Sequence, residues 1–299
     1  MPLAPDVHRT PPVRWLWPML AISLLAPGSR ASAQAVPPPL DAPAGRLEYD
    51  GRSEFSHIRI RRSGHIRSML FVRDGGEEVL ESRIDLRRPH VLQFEYLRLF
   101  FATYLLQPQQ QDVLIVGLGG GGMVHFLRRL DPAIRIDAVE IDPAVVALAG
   151  KYFDVHSEGT TRIVTADGLQ YIAAAEKRYD AIYMDAFLKP SAATDSTGAP
   201  LALRTGEFYR QLQARLNPGG VVAFNLNPHA DLENDIREIA AAFRQTYVLP
   251  LARGGGAVVL ASPDQARIPP GELAARGRDL DRRHRSTVRF QELAARLQR

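Results

Sequence analysis

The stretch DVLIVGLGGGGMVHFLRRL, residues 112–130, decides the fold. An apolar run, Val113–Val116, enters a glycine-rich bend and then a segment with helical spacing over Met123–Leu130. A strand that turns through glycine into a helix is the opening unit of an open parallel sheet. Three further strand ends follow in order: IDAVEIDP from Ile136, IVTADG from Ile163 and YDAIYMDAF from Tyr179. Each closes on glycine or a carboxylate. The carboxyl ends of parallel strands line one crevice, so these residues are expected to converge on a single ligand despite their separation along the chain.

Outward from that unit, the pattern predicts strands at Val113–Val116, Ile136–Glu140, Arg162–Thr165, Ala181–Asp185 and Val221–Asn225. Helices are expected between them, at Met123–Leu130, Pro143–Tyr152 and Thr205–Leu216, with Pro218-Gly219-Gly220 as a tight turn into the fifth strand. Leu232–Gln245 reads as a helix, and TYVLPLA and GAVVLAS as a closing pair of strands. Upstream, apolar residues at period two from Arg46 to about Leu80, broken by Gly51, Gly64 and Gly75-Gly76, predict a small antiparallel sheet of three or four strands. PHVLQFEYLRLFFATYLL, with Leu92, Tyr96, Leu99 and Phe100 at helical intervals, predicts one helix ending before Pro108. The fold class is α/β: a doubly wound, mostly parallel sheet preceded by a small antiparallel β domain.

The ends of the chain read differently. Arg9 and Arg14 precede the apolar stretch Trp15–Ala26, and PGSRASAQA follows, which is the pattern of a secretory leader cut after Ala33. The apolar stretch is well short of the ~20 residues a spanning helix needs, so no membrane span is expected in the mature chain. The expected organisation is a leader over 1–33, a proline-rich linker over 34–45, the small sheet over 46–90, a nucleoside-binding domain over 91–263 and a basic, helical tail over 264–299 with its charges on a solvated face. The leader implies export, to the periplasm; without a working leader the chain stays in the cytoplasm.

With 299 residues, 45% hydrophobic and 23% charged, the chain can bury a full core. The formal charge is only +4, and among 37 basic residues Lys151, Lys177 and Lys189 are the sole lysines, so the arginines reflect composition and no nucleic-acid partner is expected. The absence of cysteine excludes disulfides, thiolate metal sites and thiol nucleophiles. His125 and His229 lack ligand spacing to other histidines or carboxylates, and no metal site is expected.

Gly117, Gly119 and Gly122 fit GxGxxG, and Gly117, Gly119 and Gly121 fit GxGxG, where the backbone must turn sharply and approach a ligand closely. Glu140 ends the next strand, where a carboxylate can accept hydrogen bonds from ribose hydroxyls. A dinucleotide site and an adenosyl-sulfonium site share both features. Asp167-Gly168 ends the third strand, where a carboxylate can hold an adenine amino group, and Asp185 ends the fourth, facing the reacting end. Carboxylates at successive strand ends suit a cationic nucleoside better than a pyrophosphate. Asp142 reads as a helix cap, and Asp167 is open to the same reading.

The run VLIVGLGGGG…VEIDPAVVALAGKYF…ADGLQYI…YDAIYMDAF…FYRQLQARLNPGGVV resembles the spermidine synthase family, over roughly Arg46–Ser262. The resemblance implies a Rossmann-like fold of the class I adenosylmethionine type, with the small first sheet as lid and dimer contact. It implies aminopropyl transfer from decarboxylated S-adenosylmethionine to a diamine, by direct attack of a neutral amine on the carbon beside the sulfonium. It places Asp185 as the base, Glu140 on ribose and Asp167 near adenine. Three polar anchors of the family pattern are missing: the aspartate of its GGGDGG loop falls on Gly120, the second aspartate of its DSSDP element on Leu188, and its Tyr-Gln pair on Phe55 and Ser56. A divergent, spermidine synthase-like branch carries a tyrosine matching Tyr96, so Glu95 and Tyr96 are candidates for the acceptor pocket. In the small, polar loop LKPSAATDSTGAPLAL, Asp195 is a candidate for the missing carboxylate, with a turn-forming role as the alternative. Three functions stay open: aminopropyl transfer to a small amine or other acceptor, methyl transfer from intact S-adenosylmethionine, and an exported binding protein that keeps the fold without catalysis.

Overall fold

The computed structural model of the chain describes residues 45–188, 190–264 and 266–297. The expected leader and linker, Gly45 apart, lie outside the described residues. The first sheet comprises β1 (Arg46–Arg52), β2 (His57–Ser63), β3 (Ile66–Val72) and β4 (Glu78–Asp85), antiparallel in sequence order. Its alternation sorts the two faces. Ile58, Ile60, Met69 and Ile84 enter the main core, whereas Arg59 and Arg61 pair with Glu78 at 2.9 and 2.7 Å. The last strand continues past Leu80 because of a β-bulge: Met69 pairs with Ser82 and Leu70 with Leu80, leaving Glu81 as the extra residue.

The single helix expected around Tyr96 is two, α1 (Glu95–Phe100) and α2 (Thr103–Leu106). Between them the ladder tightens to bonds three residues apart, with the Ala102 N–H on the Leu99 carbonyl at 3.0 Å and the Leu105 N–H on the Ala102 carbonyl at 2.9 Å. That step turns Phe101 inward onto Phe126, ring centroids 4.2 Å apart.

The main sheet holds β5 (Asp112–Val116), β6 (Arg135–Glu140), β7 (Thr161–Thr165), β8 (Tyr179–Met184), β9 (Leu216–Leu226), β10 (Gln245–Pro250) and β11 (Ala257–Ser262) in the order β10-β11-β9-β8-β5-β6-β7. From β5 to β9 the neighbours run parallel, and β11 and β10 close one edge antiparallel. Both faces are covered, which the strands record residue by residue. Val113 and Ile115 belong to one apolar cluster, Leu114 and Val116 to the other. The covering helices are α3 (Gly122–Leu130), α4 (Pro143–Phe153), α5 (Gly168–Ala174), α6 (Gly206–Ala214) and α7 (Leu232–Ala242). The strand order turns back beside β5, which has β6 on one side and β8 on the other, so a crevice opens at their carboxyl ends.

Two boundaries differ from expectation. Pro218-Gly219-Gly220 lies inside β9, where the register against β8 shifts, and is not a turn before it. Gln245 starts β10, because the helix ends at Ala242 and the chain reverses into the edge strand.

The basic tail forms α8 (Pro270–His284) and α9 (Phe290–Leu297). Its arginines Arg278 and Arg282 are exposed, but the tail is more than a solvated face. Leu273, Leu280, Phe290, Leu293 and Leu297 join the main core cluster. Arg276 donates to the carbonyls of Leu105 and Leu106 at 2.9 Å, capping the exposed end of α2. Among the described residues, no helix is long and apolar enough to cross a membrane.

Candidate active site

A cavity of about 360 Å³ sits over the carboxyl ends of β5–β8, roofed by β4 and α1. At its floor, Gly117 has φ +100°, and a Cβ there would stand 2.1 Å from the Asp185 carbonyl oxygen. Glycine therefore brings the ends of β5 and β8 into contact and puts both beneath the ligand space. Gly119, like Gly117, lines the cavity, but Gly121 does not. Gly121 is the N-cap residue before α3, with φ +68°, and a Cβ on it would meet Val155 at 2.5 Å, so its role is backbone geometry and packing.

Glu140 enters from β6. Its carboxylate accepts the Leu118 N–H at 2.9 Å and the Asp142 N–H at 3.0 Å, which fixes it while leaving lone pairs for a ligand hydroxyl. Burial raises its pKa against those backbone donors. Asp167 does two jobs. It caps α5 through the Leu169 N–H at 2.8 Å and also lines the cavity, beside Gly168. Asp142 caps α4 through the Ala144 N–H at 2.8 Å and accepts the Ser53 hydroxyl at 2.6 Å, tying the first sheet to the second.

At the other end, Asp185 follows β8. Its carboxylate accepts the Asn225 amide N–H at 2.9 Å and the Tyr96 hydroxyl at 3.1 Å. Burial drives its pKa up to about 6 against those two hydrogen bonds, and the charge of Glu140 pushes the same way. Tyr96 is itself held by an edge-on contact with Phe100, centroids 5.7 Å apart. Its hydroxyl stays protonated, since burial and the neighbouring Asp185 charge raise its pKa.

The sequence reading missed Glu81. The bulge turns Leu80, Glu81 and Ser82 all towards the cavity, where strict alternation would show one face only. Burial and the Asp185 charge raise the Glu81 carboxyl to about 7. Glu81 lies one residue past the expected end of the strand pattern at about Leu80, and nothing in the period-two alternation marks the bulge that turns it inward.

Two expected acceptor residues lie elsewhere. Glu95 is absent from the cavity wall; its carboxylate takes the Ala252 N–H at 3.0 Å and Arg296 at 2.9 Å. Asp195 is folded into its own loop, accepting the Thr197 hydroxyl at 2.7 Å and Arg204 at 2.5 Å. Arg204 also reaches Asp235 at 2.6 Å, and His229 meets Asp235 at 2.8 Å. Those hydrogen bonds outweigh burial and hold the Asp195 carboxyl below its ordinary range. Asp195 pins the loop and is not free to bind a substrate. At Gly120, the N–H donates to the Ser82 hydroxyl at 3.0 Å, and a Cβ would meet that oxygen at 2.8 Å and Phe153 at 3.0 Å. The space for an aspartate there is occupied.

Glu140, Asp142, Asp167 and Asp185 thus ring the cavity, and no lysine or arginine lines it among the described residues. Such a field opposes a pyrophosphate and favours a neutral or cationic nucleoside. Among the described residues, no group of three or more histidines or carboxylates is arranged to hold a metal.

A doubly wound sheet of this order, closed by a reversed edge pair and with its cavity at the strand ends, is a methyltransferase-type Rossmann fold. The family profile of the spermine/spermidine synthase domain matches residues 100–249, half of the chain. The polyamine aminopropyltransferase of Chromobacterium violaceum is 30% identical over 207 residues, which cover 68% of this chain and 75% of that protein. The chain belongs to the spermine/spermidine synthase family. A spermidine synthase solved in complex with the transition-state analogue AdoDATO shares the fold at a TM-score of 0.61 and 21% identity, covering 84% of this chain and 85% of that one. Human methyltransferase-like protein 13, solved with SAH, matches at a TM-score of 0.56 and 27% identity, covering 64% of this chain and 89% of that one.

Proposed function

We propose that this protein binds decarboxylated S-adenosylmethionine and transfers its aminopropyl group to a small amine. The carrying observation is the ring of strand-end carboxylates around a cavity that no described lysine or arginine enters. At about 360 Å³ the cavity lies within the ~300–1,000 Å³ range of small-molecule sites. In this reading Glu140 holds the ribose hydroxyls, Asp167 the adenine amino group, and the bend at Gly117 and Gly119 admits the nucleoside against bare backbone. A neutral amine nitrogen forms a bond to the carbon beside sulfur, the carbon–sulfur bond breaks with its electrons going to sulfur, and methylthioadenosine departs uncharged. The proton released by the new ammonium goes to Asp185, which Asn225 and Tyr96 hold in place.

Isothermal titration with methylthioadenosine, decarboxylated S-adenosylmethionine and S-adenosylmethionine tests this. Saturable binding of the first two is expected, with the carboxylated form weaker, because Glu81 and Asp185 repel its carboxylate. Absence of binding by all three overturns the reading. Methyl transfer is the second reading, favoured by the lack of a carboxylate at Gly120; tighter binding of intact S-adenosylmethionine selects it. Export to the periplasm is proposed from the sequence alone, and sequencing the mature N-terminus checks it.

A further inference from the structure

We propose that Ser82 reads the arm of the sulfonium nucleoside: its hydroxyl oxygen accepts a hydrogen bond from the terminal ammonium of the aminopropyl group, above the bend at Gly117 and Gly119. This deepens the transferase reading above and rests on it.

Strand order fixes where the arm lies. The sheet runs β9-β8-β5-β6-β7, with Asp167 after β7, Glu140 at the end of β6, the glycine bend after β5 and Asp185 after β8. A nucleoside whose adenine meets Asp167 and whose ribose meets Glu140 therefore carries its sulfur and arm over the bend, on the way to Asp185. Ser82 stands over that bend. The bulge of β4 turns it into the cavity wall, and a Cβ built on Gly119 would lie 3.5 Å from both its Cβ and its Oγ.

The hydroxyl has capacity to spare. A serine oxygen carries two lone pairs and one proton. The Gly120 N–H occupies one lone pair at 3.0 Å, and among the described residues no acceptor takes the proton. The second lone pair suits an ammonium, whose charge strengthens the bond, and no described lysine or arginine lines the cavity to oppose it. A side chain rooted in the bend has no room to serve instead: a Cβ on Gly120 would meet the same Oγ at 2.8 Å and the Phe153 ring at 3.0 Å. The polar group for the arm comes down from the first sheet, not up from the glycine loop. Ser82 also braces the bend through Gly120, and the two roles respond differently to substitution.

Titration of the full chain with methylthioadenosine, which lacks the arm, and with S-adenosyl-3-thiopropylamine, which carries it on an uncharged sulfur, isolates the contact. Ser82→Ala is expected to weaken the thiopropylamine about tenfold and methylthioadenosine by less than about twofold. Ser82→Asp still offers the Gly120 N–H an acceptor and adds a charge. It should tighten the thiopropylamine about tenfold, leave methylthioadenosine unchanged and weaken intact S-adenosylmethionine. Thermal melting confirms that each variant is folded, and Ser82→Asp decides alone if Ser82→Ala is not. Equal weakening of both nucleosides by Ser82→Ala, or an unchanged preference for the arm in both variants, overturns the assignment and leaves Ser82 a brace of the bend. Absence of binding by both nucleosides in the parent overturns the transferase reading itself, and the assignment falls with it.

Discussion

Asp185→Asn is expected to lower turnover by about 10²- to 10⁴-fold while leaving methylthioadenosine affinity nearly unchanged. The substitution keeps the shape and can still accept the Asn225 N–H, with the bond to Tyr96 reversed so that the hydroxyl oxygen accepts, but it removes the group that takes the proton. In the unaltered protein, Asp185 has a carboxyl raised by burial to about 6, so the rate should climb as pH rises through that value and Asp185 ionises. The ionisation of Glu81, raised to about 7, extends the climb towards neutrality. The same shifts act on stability with the opposite sign. Both groups hold their protons in the folded state at pH values where the unfolded chain has released them. Stability is therefore lost as pH rises from the ordinary carboxylate range to about 6 or 7. Asp185→Asn should then be more stable than the parent at pH 7, on the order of 1–3 kcal/mol. Turnover assays across pH 5–9 and urea denaturation at pH 4.5 and 7 measure both halves. Unimpaired turnover in the variant removes Asp185 from the chemistry.

Gly117→Ala is expected to be severely damaging for a single methyl group. The residue sits at φ +100°, and the new Cβ would lie 2.1 Å from the carbonyl oxygen of Asp185. No flexible side chain can yield there; the obstacle is backbone. The ends of β5 and β8 must separate, which combines left-handed strain with loss of strand packing, at a cost of about 3 kcal/mol or more. The same separation moves Asp185 away from Tyr96, so any folded protein should have lost nucleoside binding. Denaturation and titration check this together. A variant of parental stability and affinity would mean that the crevice floor is not built as described.

The central sheet was legible because its strands are buried on both faces and end in residues with one chemical purpose. Val113–Val116 followed by glycine permits few alternatives. Glu140 and Asp167 could be placed at the crevice because strand ends in such a sheet have one location. Glu81 could not, since a bulge resets the alternation without leaving a mark in composition. Glu95 misled because its partner, Arg296, is set by tertiary packing and a neighbour 201 positions away has no local signature, whereas Asp195 takes the turn-forming alternative, accepting the Thr197 and Ala199 N–H groups. The tail misled through its charge, because the spacing of Leu273, Leu280 and Leu293 outweighs the arginines between them once α8 and α9 pack.

One salt bridge gives that tail a reach beyond packing. Arg296, near the end of α9, grips Glu95, the first residue of the helix whose next residue is Tyr96, the hydroxyl donor to Asp185. A shortened version prepared to shed the arginine-rich end would therefore slacken the anchor of the proton acceptor. Diminished activity in such a preparation would reflect a loosened tyrosine some two hundred positions upstream, with every residue that touches substrate still in place.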